Sequence, residues 1–188
     1  DIGKRITQQE ARLKDEQRKA VAGNELVKDL VEQIAFEARK SEYVDAKSGV
    51  SARLTISAYE NLVAAAERRT LINNEKSTQI RISDFIGVIP AITGKVELVY
   101  EGEQEGPGIV AQNLVGKALR TQFITYFPDP DKFRKQKEKS PYKKITNWFG
   151  DGNTIDLLHD MPQADYEKSL KAVPGLAELV NEFHKNQD

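Results

Sequence analysis

The stretch from Lys47 to Arg69, KSGVSARLTISAYENLVAAAERR, sets one arginine, Arg53, between a glycine turn and an amphipathic run. Gly49 permits a sharp approach, and Ser51, Thr55 and Ser57 are all good N-cap types. Ser57 with Glu60 spells the S-x-x-E capping pattern, so the spacing predicts a helix that starts between Ser51 and Ser57. Arg53 then stands at, or just before, the positive end of that helix. A planar guanidinium binds anion oxygens in pairs, and the free N–H groups of a helix start point the same way, so the chemistry this suits is phosphate binding. The alternative is that Arg53 pairs with a neighbouring Asp or Glu and fixes the turn.

No other constellation carries chemistry of its own. No G-x-x-x-x-G-K-S/T occurs: Gly94-Lys95 is followed by Val96 and Gly116-Lys117 by Ala118, and neither has a glycine five places earlier. No apolar strand ends in paired acids for magnesium. The two histidines, His159 and His184, are far apart and lack metal-ligand spacing, so no metal site is expected and each is read as capping or decorating a helix end. There is no G-x-S-x-G elbow, and no carboxylate sits in an apolar run that would raise its pKa. The Gly106-Pro107-Gly108 turn lacks a preceding apolar strand and a third glycine, and is read as a loop or boundary. Around Gly150-Asp151-Gly152-Asn153 the acids do not match a calcium loop, because Ile155 stands where an oxygen ligand is required.

Behind Arg53, Ile56, Tyr59, Leu62, Val63 and Ala66 recur at helical spacing, with Glu60, Glu67, Arg68 and Arg69 read as the solvated face. Upstream, Thr7 to Ala22 is rich in charged and amide side chains and reads as an exposed helix. Gly23-Asn24 breaks it. Asn24 caps a second helix whose Leu26, Val27, Leu30, Val31, Ile34, Ala35 and Ala38 form one buried face. Arg39 to Gly49 is a polar surface connection. Downstream, Asn73 to Thr78 makes a loop and Gln79 to Ile82 a short extended piece, after which Ser83-Asp84 starts a helix interrupted at Gly87 and resumed at Pro90. A further helix covers Ile109 to Tyr126. Asp131 to Lys144 holds seven Lys or Arg against two acids, with Phe133 and Tyr142 interleaved, and Trp148 is expected to anchor a small core near the glycine turn. A last helical region, Gln163 to Lys185, is broken at Pro174-Gly175. The fold class is therefore mainly α: short connections pack the first helices as a bundle, and a second, mostly helical region follows.

The run SGVSARLTISAYENLVAAAERR, preceded by a helix and followed by IRISDFIGVIPAITGKVEL, resembles the helical lid of AAA+ ATPases of the magnesium chelatase subunit I and MoxR type, over roughly residues 21 to 100. The remaining C-terminal stretch is similar to that of long bacterial chelatase-like members. The resemblance implies that Arg53 is the sensor 2 arginine, reaching from the lid to the γ-phosphate of ATP. It implies a lead-in helix from an ATPase core at 1–22, the lid bundle at 23–100 and a C-terminal extension at 101–188. The core, with its P-loop and magnesium acid, is absent from this chain, and Asp1 in place of an initiating methionine fits a piece of a longer protein. ATP and Mg²⁺ are then cofactors of the full-length parent, with none expected in this chain alone, which is not by itself catalytic. The implied partners are the chain's own ATPase core, neighbouring subunits of a ring, and a client protein of unknown identity.

Composition bounds the alternatives. The chain of 188 residues has 39% hydrophobic and 30% charged residues and a net charge of −1, so no global field draws in nucleic acid or an anionic membrane. A nucleic-acid partner is not expected, since the basic segment belongs to no recognisable binding module. The absence of cysteine excludes disulfides and thiolate metal sites and suits a reducing compartment. No apolar run reaches membrane-span length and the first residues lack the apolar centre of a signal peptide, so the expected location is cytoplasmic without membrane insertion. The competing reading is a non-enzymatic helical adaptor that binds another protein through its apolar stripes and the basic segment.

Overall fold

The computed structural model describes residues 2–184. It is mainly helical, as expected: 66% of the chain is helix against 3% strand. The chain divides into two compact units, one through Gln122 and one from Phe123 onward. The first unit therefore takes in both the segment before residue 23 and most of the helix after residue 100, with no break at either of those sequence boundaries.

In the first unit the chain opens with α1 (Ile2–Glu10), α2 (Asp15–Ala20) and a two-residue strand β1 (Val21–Ala22). Asn24 ends this segment by accepting a hydrogen bond from the Val27 N–H at 3.0 Å, which caps α3 (Glu25–Lys40). Val27, Leu30, Val31, Ile34, Ala35 and Ala38 of α3 are buried, the stripe its periodicity predicts. A turn-rich stretch then leads to α4 (Arg53–Ile72), the 20-residue spine of the unit. After it come β2 (Thr78–Gln79), a 3₁₀ segment (Ile82–Val88), α5 (Ile89–Thr93) with Pro90 in its first turn, α6 (Tyr100–Glu105) and α7 (Pro107–Tyr126). β1 and β2 pair in parallel, Val21 opposite Thr78 and Ala22 opposite Gln79.

One apolar cluster unites α3, α4, the 3₁₀ segment, α5 and α7, with Ile34, Leu54, Leu62, Val88, Ile92 and Leu114 almost fully excluded from water. Because α7 contributes Val110, Ala111, Leu114, Val115 and Ala118 to this cluster, the Gly106-Pro107-Gly108 turn is a tight junction inside the unit. Gly106 takes φ +103 there, a conformation glycine adopts without strain, and it follows directly on the last residue of α6.

Two sequence expectations are corrected here. Arg69 is not solvated: its side chain is fully buried in an ion pair with Asp84. Helix α4 is covered by α1, α2, α3, α5 and the 3₁₀ segment, so even its nominally polar face meets protein. The segment before residue 23 is likewise docked along α4, with Thr7, Ala11 and Val21 buried, and is no exposed helix.

The second unit, taken by itself, holds 3₁₀ turns at Pro130–Phe133 and Lys137–Lys139, then α8 (Lys143–Gly150), α9 (Gln163–Lys171) and α10 (Leu176–His184). Its packing centres on Tyr142, Val173 and Leu179, with the rings of Phe123, Phe127, Tyr142 and Phe183 in a chain of contacts 5.0 to 6.0 Å between centroids. Trp148 is only half-buried and stacks edge-on with the exposed Phe149, so it is peripheral to that packing. Proline and glycine at 174 and 175 separate α9 from α10, and Gly175 has φ +84.

Candidate anion-binding site at the start of α4

Helix α4 begins at Arg53 itself, with Ala52 as its N-cap. Ala52 offers no side-chain oxygen, so the cap is made one residue earlier: the Ser51 hydroxyl accepts from the Arg53 N–H at 3.2 Å, and the Ser51 carbonyl accepts from the Leu54 N–H at 3.0 Å. Ser57 and Glu60, the expected capping pair, lie inside the helix. Glu60 instead accepts a hydrogen bond from the Arg12 N–H at 2.8 Å. Two of the first helical N–H groups, those of Arg53 and Leu54, are thus already satisfied within the chain.

The Arg53 side chain is exposed, and its guanidinium makes no hydrogen bond, ion pair or ring contact among the described residues. The structural alternative for Arg53, a turn-fixing pair with a nearby acid, is not what the chain adopts. The fixing is done by other residues. Val44 bridges Leu98 in antiparallel fashion, the Asp45 N–H donates to the Glu97 carbonyl at 2.9 Å, and the Val99 N–H donates to the Tyr43 carbonyl at 3.1 Å. Asp45 accepts from the Lys47 N–H at 3.0 Å and the Ser48 hydroxyl at 2.8 Å. These donors, the Lys47 N–H first and then the Ser48 hydroxyl, hold the Asp45 carboxyl below the usual aspartate range.

Gly49 follows with φ +67 and open space around it, and it turns the chain toward α4. Arg39 supports the same turn from α3. Its guanidinium lies 5.5 Å from the Phe36 ring centroid and donates to the Val50 carbonyl at 3.3 Å. So of the two arginines near this corner, Arg39 is committed to the scaffold and Arg53 is presented outward.

A phosphate oxygen pair fits a free guanidinium at a helix start, where the local dipole adds to the formal charge. The donor set for a cation is different: among the described residues no group of three or more His, Cys, Asp or Glu is placed to hold a metal ion. His159 is half-buried with its Nδ1 inside and unpartnered, remote in sequence from Arg53, while the side chain of His184 lies outside the described residues. In the basic segment, Arg134 pairs with Asp131, Lys143 with Glu138 and Lys144 with Glu178, and the backbone there is a succession of short turns before α8.

What sequence reasoning missed is polar. The contacts of Thr7 with Thr55, and of Ser48 with Glu97, carry no hydropathy period and join residues far apart in the chain. Compared with known proteins, the chain matches no family model, and no curated protein or solved structure is significantly similar to it. No helix among the described residues is long and apolar enough to cross a membrane.

Proposed function

We propose that this chain is the lid and C-terminal region of a chelatase-like AAA+ ATPase, in which Arg53 contacts the γ-phosphate of ATP bound on a core domain outside this chain. The observation that carries the reading is the exposed, unpartnered guanidinium at the first residue of a 20-residue helix, on a corner braced by Arg39 and by the 43–45 to 97–99 pairing. ATP supplies a transferable phosphoryl group. Arg53 neutralises charge on its outer oxygens, and the braced corner keeps that charge in place during the reaction. Magnesium ligands and the remaining phosphate contacts belong to the core in this reading. The partners are that core, adjoining ring subunits and an unidentified client protein, and the location is the cytoplasm.

The test is direct. The full-length protein is expected to hydrolyse ATP in the presence of Mg²⁺, and the sequence preceding Asp1 is expected to contain a P-loop. A full-length protein without a P-loop and without nucleotide turnover contradicts the reading. It would favour a second one, a non-enzymatic helical adaptor, for which the exposed Leu71, Ile72, Ile82 and Ile86 at the far end of α4 and on the 3₁₀ segment are the supporting observation.

A further inference from the structure

Residues 2–22 run along α4 in the same direction as the helix, tied to it at regular intervals. The Thr7 hydroxyl donates to Thr55 Oγ1 at 2.8 Å, the Arg12 N–H to Glu60 at 2.8 Å, and the Gln17 amide to Glu67 at 2.7 Å. Thr55 to Glu67 spans about 18 Å of helix at 1.5 Å per residue. Beyond the last tie Val21 is buried against Val63 and Ala66, and β1 closes on β2 through the Ile80 N–H to Ala22 carbonyl bond at 3.1 Å. The segment is thus a strap splinting α4 over most of its length.

The first tie differs from the others because it is buried and because it continues. Thr55 accepts from Thr7 and passes its own hydrogen to the Ala52 carbonyl at 3.0 Å. Ala52 is the residue immediately before Arg53. The one hydrogen of the Thr7 hydroxyl faces two acceptors, Thr55 Oγ1 at 2.8 Å and the more distant Glu32 carboxylate of α3 at 3.2 Å, and the shorter contact is the one to Thr55. A chain of two hydroxyls therefore connects α1, between α3 and α4, to the backbone from which the exposed arginine departs.

We propose that Thr7 is a positioning residue for Arg53: through Thr55 it fixes the N-cap of α4, and with it the backbone from which the arginine departs. The inference deepens the ATPase reading and rests on it only for its effect on turnover. Its geometric part concerns the first turn of α4 alone. Replacing the hydroxyl by a methyl in Thr7→Val keeps shape and burial but removes the donor, leaving Thr55 without its partner from α1. Thr7→Ser restores the donor.

The experiment compares the full-length protein with its Thr7→Val, Thr7→Ser and Arg53→Ala variants by amide hydrogen exchange and by ATP turnover. In Thr7→Val, exchange within residues 53–57 is expected to accelerate about tenfold while α3 and the end of α4 stay at parental rates, and Thr7→Ser is expected to return it to within about twofold of parent. Unchanged exchange at 53–57, or acceleration spread evenly over α3 and α4, overturns the positioning role. In the turnover arm, Thr7→Val is expected to lower kcat with little change in KM. If neither Thr7→Val nor Arg53→Ala alters turnover while the local exchange effect is present, the ATPase reading fails and the positioning of the helix start stands.

Discussion

Arg69 and Asp84 form an ion pair in which neither side chain retains any solvent-exposed surface. The pair is also a junction. Arg69 donates to the Thr78 hydroxyl at 3.1 Å and the Gln79 carbonyl at 2.7 Å, while Asp84 accepts from the Arg81 N–H at 2.7 Å. One helix residue thereby holds β2, and the start of the 3₁₀ segment, against the last turn of α4. Burying two charges is costly, so such a pair adds little net stability but makes wrong arrangements expensive.

Removing one member alone leaves a charge buried without its counterion. Asp84→Leu is expected to lower stability by about 3–5 kcal/mol, and Arg69→Met by a similar amount. The double variant is expected to lose clearly less than the sum, though not to recover fully, since the Arg81 N–H and the Gln79 carbonyl are left without those partners. Urea unfolding followed by circular dichroism measures the cycle. Strict additivity of the two losses contradicts the pairing.

Asp45 gives an acid-side expectation. Its carboxyl is held below the ordinary range by the Lys47 N–H and the Ser48 hydroxyl, so its contribution is complete above the unfolded value near 3.8 and is lost as pH falls through the lower folded value. The backbone amide shifts of Lys47 and Ser48 are expected to stay constant from neutral pH to about pH 4 and to move together only below it. Asp45→Asn is expected to abolish that step. A transition of these amides near neutral pH contradicts the assignment.

Tyr142 acts at the opposite end of the scale. Burial first, and the negative charge of Asp129 second, push its phenol above the usual value of 10.0. The contribution of Tyr142 to the stability of the second unit is therefore expected to be complete below about pH 10 and to be lost as pH rises through the higher folded value. Tyr142→Phe removes the hydroxyl that donates to the Pro128 carbonyl. It is expected to cost about 1 kcal/mol at neutral pH and to erase the alkaline step, as read from phenolate absorbance and thermal unfolding.

The sequence makes the apolar half of this structure legible and the polar half largely opaque. The buried face of α3 and its Asn24 cap follow from periodicity and from one side-chain oxygen, both local properties. Pro90 and the 174–175 pair mark real interruptions for equally local reasons, the missing N–H of proline and the positive φ open to glycine. Arg69 is different. It follows Glu67 and Arg68 in a run that reads as solvated, and only Asp84, fifteen residues on and brought back by β2, makes its burial tolerable. The strap fails to announce itself for the same reason, because Thr7, Arg12 and Gln17 are tied to α4 through oxygens and nitrogens that hydropathy ignores. Arg53 itself was readable as an exposed arginine at a helix start. The sequence leaves open which of Ser51, Thr55 and Ser57 caps the helix; Ser51 does so, and Ser57, about 1.7 turns further on, lies within the helix with Glu60.

The assignment of Arg53 to a nucleotide phosphate is tested most directly by comparing ATP turnover and ATP binding in the full-length protein and its Arg53→Ala variant. An arginine that meets charge developing in phosphoryl transfer is worth on the order of 10³ in rate, whereas a single charge-assisted contact contributes about 1.5–3 kcal/mol to binding. Turnover is therefore expected to fall by about 10³ while affinity for ATP weakens by no more than about a hundredfold. Equal turnover in parent and variant contradicts the claim.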